Sequence, residues 1–264
     1  MASDQVPELH GERITPKIGS SPEVGGRPRD CRCHRRICGA VALAALLVAF
    51  LLLQHFDIAL MRWRFVIFPK GVSGGLQQIV FGLRDFGQFV PIVVAGVIVV
   101  LADRRWRSFV LALVLAQALG LLAGNAVKWS LPRYRPYPAM DQLAPVHHTP
   151  SEEPDRLGQL ARMAPAETWI RHGTDSWPPP TGHDSFPSGH SNAAFAFAIV
   201  LACFYPRLRW VFWVLATGCA VSRVLDAMHW PSDCLAGAAI GYAAGWLALR
   251  IQTRLRPAAI LPER

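Results

Sequence analysis

Residues 108–136 read SFVLALVLAQALGLLAGNAVKWSLPRYRP. The first part, Ser108–Val127, carries no charged residue. A helix crossing the hydrocarbon core of a bilayer needs about 20 apolar residues, because each adds only about 1.5 Å of rise. This run has that length. It then ends in Lys128, Arg133 and Arg135 with two prolines, so the chain leaves the apolar phase at a basic segment rich in turn formers.

The same grammar recurs on both sides. Uncharged runs at Ile37–Leu53, Phe86–Ala102, Ser188–Pro206 and Cys234–Leu249 meet or approach the spanning length, and a shorter run, Trp210–Ser222, is followed at once by Arg223. Six spans are predicted, which makes the fold class an all-α, polytopic membrane helical bundle. The chain has 264 residues, 52% hydrophobic and 17% charged, so one membrane domain over residues 37–252 leaves no room for a second large domain. Residues 1–36 are polar and rich in Pro, Gly and Arg, the composition of a disordered basic tail. The apolar run that follows begins late and lacks a small-residue cleavage site, so it reads as an uncleaved anchor. Residues 253–264 form a second short tail.

Loop charge sets the expected orientation. Arg27, Arg29, Arg32, Arg35 and Arg36 precede the first run, Asp103-Arg104-Arg105-Trp106-Arg107 joins the second and third, Arg207 and Arg209 lie between the fourth and fifth, and Arg250, Arg254 and Arg256 follow the sixth. In a six-span chain these places share one side, which the positive-inside bias makes cytoplasmic. Both termini are then cytoplasmic. The other side carries the Arg223–Asp233 connection and the long segment Tyr137–Ser185, which reads as an extracytoplasmic cap or loop insert with a short helix near Asp155–Met163. The stretch Arg62–Phe89 mixes aromatic and basic residues and reads either as an interfacial segment lying on the membrane or as an ordered loop.

The net charge of +9 sits mostly at helix ends, where orientation and anionic headgroups account for it. Neither an aromatic RNA-binding signature nor zinc-finger spacing is present, so nucleic acid is not an expected partner. Of six cysteines, Cys203, Cys219 and Cys234 lie in or beside apolar runs as small buried residues. Cys31, Cys33 and Cys38 flank His34; reduced thiols in a cytosolic tail are the expectation there, a metal site the alternative.

Three polar islands fall on the non-cytoplasmic side: Lys128 to Pro136, Phe186 to His190, and Ser222-Arg223 with His229 and Asp233. Lys128, Arg135 and Arg223 supply three cationic donors, and arginine matches phosphate with a bidentate fork. Ser188 offers a hydroxyl, and Gly189 lets a helix N-terminus approach an anion. Asp233, four residues beyond His229, would share a helical face with it and fix its tautomer, leaving the other ring nitrogen as a nucleophile. His190 has no such local partner and fits a general acid. Asp226 is expected to face solvent or the interface. Each island alone could be a snorkelling cation, a turn or a satisfied interfacial histidine; their joint occurrence on one side points to phosphoryl chemistry. No cluster on this side has zinc-ligand spacing, so neither metal nor other cofactor is expected.

At these residues the sequence resembles the type-2 phosphatidic acid phosphatase superfamily, whose signature is K-x6-RP, PSGH and SR-x5-H-x3-D. Here it stands as Lys128…Arg135-Pro136, Pro187-Ser188-Gly189-His190 and Ser222-Arg223…His229…Asp233. The resemblance implies an active site at the outer membrane surface and a phosphohistidine on His229, oriented by Asp233, with His190 as acid. Lys128, Arg135, Ser188, Gly189 and Arg223 would hold the phosphoryl group. The implied substrate is a lipid phosphate in the bilayer: phosphatidate, a polyprenyl diphosphate, phosphatidylglycerophosphate or a lipid A phosphate, with the bacterial inner membrane as the implied setting. The superfamily also includes soluble vanadium-dependent haloperoxidases, which six apolar spans argue against. A transporter would spread its charges through the spans, and an inactive lipid-binding relative would lack His190 or His229.

Overall fold

Helix α1 begins at Asp30 and does not stop until Ile67. No Gly or Pro interrupts residues 40–68, so nothing breaks the helix where the apolar run ends at Leu53. The helix carries Asp57, Arg62 and Arg64 along with it. The structure, a computed structural model, describes residues 30–68, 72–136, 164–169 and 185–255. The expected helix near Asp155–Met163, most of the two tails and most of the 137–185 insert lie outside these residues. The chain divides into two units, Met1–Ala42 and Leu43–Arg264. In the first, the described residues are helical from Asp30; the site lies in the second.

The stretch Arg62–Phe89 is not one surface segment. Its first residues finish α1, Gly74–Asp85 forms α2, and α3 runs from Phe89 to Ala102 after a 62° bend. The remaining helices are α4 (Trp106–Ser130), α5 (Gly189–Phe204), α6 (Arg209–Leu225) and α7 (Pro231–Leu255). Short 3-10 turns stand at Pro165–Thr168 and Pro206–Leu208. Among the described residues there is no β-strand; an isolated bridge pairs Arg133 with Trp169.

Four segments are long and apolar enough to cross a membrane: Ala45–Ile67, Trp106–Ser130, Pro206–Leu225 and Pro231–Leu255. The bent pair α2–α3 makes a fifth if it counts as one span. Outward-facing Val93, Val97, Ile98, Leu121, Leu122, Val211 and Val214 are exposed, as lipid-facing side chains must be. The protein is an integral membrane protein. The predicted fourth span, α5, has only 16 residues. It packs against α4, α6 and α7, and buried residues lie on all its sides, the mark of a helix enclosed by other helices.

The α5–α7 contact places the site. A Cβ on Gly241 would lie 2.0 Å from the Asn192 carbonyl oxygen, and one on Gly237 would lie 2.3 Å from that of Ser188. Only bare backbone fits, so the first turns of α5 and α7 meet closely. At the other end, Asp103 accepts from the Arg105 guanidinium at 3.0 Å and from the Tyr205 hydroxyl at 2.9 Å, tying the α3–α4 turn to the α5–α6 turn.

Candidate active site

Four helix ends converge where the three sequence islands fall. Lys128 occupies the last turn of α4 and Arg223 the last turn of α6. After α6 the chain reverses through Ala227, which adopts φ 53°, and the N–H groups of Met228 and His229 both donate to the Arg223 carbonyl. Pro231 then opens α7; its missing N–H costs nothing at a first helical position. Ser188 caps α5, its hydroxyl accepting from the Ser191 N–H, and its own N–H donates to the Asp233 carbonyl at 3.0 Å. Nothing lies within 4 Å of where a Gly189 Cβ would stand, so the N-terminus of α5 faces open space. An anion would find both room and helix dipole there.

His229 is 3% exposed. Because α7 starts at Pro231, His229 sits in the preceding turn and does not share a helical face with Asp233. Its Nδ1 donates instead to the Ser185 carbonyl at 2.7 Å. The Asp233 carboxylate accepts from the Ser185 hydroxyl, from the Trp230 N–H at 3.0 Å and from Arg133 Nη1 at 2.7 Å. Asp233 therefore acts on His229 at one remove, through Ser185. Burial first, then the charges of Arg135, Arg223 and Lys128, hold the His229 imidazole well below its ordinary pKa. The ring is neutral at pH 7, with Nδ1 committed as donor and Nε2 left as the basic nitrogen.

The cations are arranged unequally. Arg223 donates through Nη1 to Asp226 at 3.2 Å. Asp226 is thus a half-buried partner of the site rather than a solvent-facing residue, and burial raises its carboxyl pKa against the opposing effect of Arg223. The Nε atoms of both Arg223 and Arg135 are buried with no hydrogen-bond partner among the described residues. Two unsatisfied guanidinium donors beside a neutral histidine call for an anion. His190 stands half-buried in the first turn of α5, within the electrostatic reach of Arg223, Arg84 and Arg135. Its ring has no hydrogen-bond partner among the described residues. The α2–α3 elbow presses on it: a Cβ on Gly87 would lie 2.4 Å from the His190 carbonyl oxygen.

Behind His229 lies a buried network that the sequence reading did not assign. The Arg133 guanidinium reaches Asp57 on α1, Asp233 and Ser232 on α7, and Thr168 from the insert. Arg133 stands two residues from Arg135; the K-x6-RP signature singles out Arg135, and composition and spacing give Arg133 no role of its own. Asp57 carries a signal only once α1 is seen to run past Leu53, since a carboxylate within a spanning helix needs a partner. Ser185 and Arg84 carried none.

The sequence model of the PAP2 superfamily matches residues 107–257. Lipid A 1-phosphatase of Rhizobium etli is 41% identical over 81 residues, covering 30% of this chain and 34% of that protein. Phosphatidylglycerophosphatase B of Escherichia coli K12 is 34% identical over 170 residues, covering 58% of this chain and 66% of that protein. The alignments thus span about a third and just under two thirds of those relatives. The crystal structure of a PAP2-type phosphatidylglycerolphosphate phosphatase from Bacillus subtilis overlays with a TM-score of 0.48 at 20% identity, covering 81% of this chain and 98% of that one. All three polar islands fall inside the family match, which takes in more than half of the chain. The chain belongs to the PAP2 superfamily.

Proposed function

We propose that this protein is a membrane phosphatase that removes phosphate from a lipid through a phosphohistidine on His229, without a metal. The observation that carries the reading is a neutral, Nδ1-anchored His229 within electrostatic reach of Lys128, Arg135 and Arg223, together with the buried Nε atoms of the two arginines, which have no hydrogen-bond partner among the described residues. In the first half-reaction Nε2 of His229 bonds phosphorus and the ester P–O bond breaks. His190 protonates the leaving oxygen. In the second, water attacks phosphorus, gives its proton to His190 and releases inorganic phosphate and free His229. The three cations, the Ser188 hydroxyl and the α5 N-terminus at Gly189 bind the phosphoryl oxygens, whose charge grows in the transition state. These cations supply the positive charge that a metal would otherwise bring.

A groove between α4 and α5 supports a lipid as the substrate. It holds a cavity of about 90 Å³ and is lined by Lys128, Asn125, Leu121, Gln117, Gly189 and Ala193 among others. From Lys128 it follows one face of α4 for about 16 Å at helical rise, and the exposed Leu121 opens it toward the bilayer. Phosphatidate, a polyprenyl diphosphate, phosphatidylglycerophosphate and a lipid A phosphate all fit this description, and the named bacterial relatives act on the last two types. Phosphate release from such a panel by the purified chain in detergent tests the reading. Hydrolysis should persist in excess EDTA and be inhibited by vanadate; loss with EDTA and rescue by magnesium would refute the metal-free mechanism. Substituting a flexible linker for residues 141–163, which leaves Thr168 and Trp169 in place against Arg133, should change relative rates across the panel, because the insert joins two of the three site islands. Loss of every activity in a folded protein would make it catalytic instead.

The loop arginines support six crossings, with both termini cytoplasmic and the site on the outer face of a bacterial inner membrane. On this reading α2–α3 is one broken span and α5 is a short enclosed one. Reporter fusions after Arg107 and after Asp155 should then report opposite compartments. The same compartment for both would remove the six-span topology.

A further inference from the structure

Arg133 touches both groups that hold His229. Its main-chain carbonyl accepts the Ser185 N–H at 2.7 Å, and the Ser185 carbonyl accepts from His229 Nδ1 at 2.7 Å. Its guanidinium donates from Nη1 to Asp233 Oδ1 at 2.7 Å, while the other Asp233 oxygen accepts from the Ser185 hydroxyl. One residue thereby fixes the acceptor of the histidine and the carboxylate behind that acceptor. The guanidinium is itself pinned. It donates from Nη2 to Asp57 Oδ2 at 2.8 Å, from Nη1 to Ser232 Oγ at 2.7 Å and from Nε to Thr168 Oγ1 at 3.1 Å. The Trp169 and Trp230 rings lie 4.7 and 5.1 Å from it. Asp57 in turn accepts the Ser232 N–H at 3.0 Å and its hydroxyl, so α1 is locked to the first turn of α7.

The charges do not balance. Arg133 is fully buried between two carboxylates, Asp57 and Asp233, each at most 1% exposed. The cluster therefore carries a formal excess of one negative charge, next to the Nδ1 side of His229. A buried ion pair seldom stabilises a fold better than apolar packing would, so stability alone does not account for this cluster. When Nε2 bonds phosphorus and Nδ1 keeps its proton, the imidazole ring becomes formally cationic. A fixed negative charge one residue away, in a site of low dielectric, stabilises that ring.

We infer that Arg133 and Asp57 are positioning residues for the nucleophile. Arg133 holds His229 in its Nδ1–H tautomer through Ser185 and Asp233, and Asp57 draws on the guanidinium so that Asp233 keeps a net negative field for the cationic ring. This rests on the phosphohistidine reading above.

The test uses two full-length variants in detergent, Asp57→Asn and Arg133→Gln. Asparagine keeps the size of aspartate and an acceptor for Ser232, but removes the excess charge. On p-nitrophenyl phosphate, Asp57→Asn should lower kcat about tenfold and leave KM within about twofold, since Lys128, Arg135 and Arg223 are untouched. Arg133→Gln should lower kcat about a hundredfold. In spectra of protein labelled with nitrogen-15 histidine, it should also turn His229 from the single Nδ1–H tautomer into a mixture. A folded Asp57→Asn protein with wild-type kcat and a lowered Tm would show a merely structural role and overturn the inference. So would an unchanged His229 tautomer in folded Arg133→Gln. If Arg133→Gln does not fold, the kcat of Asp57→Asn decides. A wild-type protein that hydrolyses no phosphate ester would sink the phosphatase reading instead, and the tautomer comparison would still decide the positioning.

Discussion

His229→Ala protein is expected to lose at least about a hundredfold in rate on a lipid phosphate and on p-nitrophenyl phosphate alike. His190→Ala should lose heavily on the lipid and far less on the activated ester. The reasoning follows from the two environments. His229 is buried, neutral and pinned through Nδ1 to the Ser185 carbonyl, so Nε2 is presented as a base of fixed direction. Removing it removes the bond to phosphorus, which every substrate needs. His190 is half-buried, and its ring lacks a hydrogen-bond partner among the described residues. A group so placed is free to pass a proton to a departing oxygen. An alkoxide leaving group needs that proton, whereas a nitrophenolate leaves well without it. The two roles separate further in a trapping experiment. With a substrate labelled with phosphorus-32, acid-labile label should accumulate on His190→Ala protein and be absent from His229→Ala. Label that depends on His190 would mean the assignments are reversed.

The sequence made the membrane helices and the cations and histidines of the candidate site legible because both signals are local. An apolar run is recognisable from its own residues, and a cation or histidine at its end needs no distant information to be noticed. What it did not disclose is tertiary. α1 overruns its apolar stretch because neither Gly nor Pro stops it, and a reading that follows hydropathy ends the helix at Leu53, short of Asp57. Arg133 and Arg135 are equivalent by composition and proximity. The signature marks Arg135, but the ion pairs of Arg133 with Asp57 on α1 and Asp233 on α7 are tertiary, while Arg135 keeps a buried Nε with no hydrogen-bond partner among the described residues. The spacing of His229 and Asp233 suggested one helical face, but Pro231 starts the helix between them and puts Ser185 in the gap. Ser185 lies two residues before the Pro187-Ser188-Gly189-His190 island, where a serine reads as ordinary turn chemistry. The Arg84 and Gly87 elbow was hidden for the same reason, since its role depends on a helix pair that bends back against His190.

Arg223 should be the most costly of the proposed phosphate-binding cations to remove, and the geometry says how the loss should appear. Its Nη1 is held by Asp226, which aims the guanidinium, while its buried Nε has no partner among the described residues. Truncation to Ala removes a donor preset for the phosphoryl oxygens and also strands a half-buried Asp226 carboxyl. A loss of about 10²–10³-fold in kcat/KM is expected, the range typical of removing one preorganised transition-state donor. Vanadate should weaken in parallel, because it presents similar equatorial oxygens. Arg223→Lys should recover only part of the loss, since an ammonium cannot donate as a planar fork. Asp226→Asn separates binding from aiming. If the carboxylate mainly competes for the guanidinium, its neutralisation frees charge for the ligand, and KM for p-nitrophenyl phosphate should fall by about two- to threefold, the scale of a partly exposed ion pair. If the carboxylate mainly aims Arg223, the same variant should instead lose kcat. An Arg223→Ala protein that is folded and keeps wild-type kcat/KM and vanadate affinity would remove Arg223 from the phosphate site altogether.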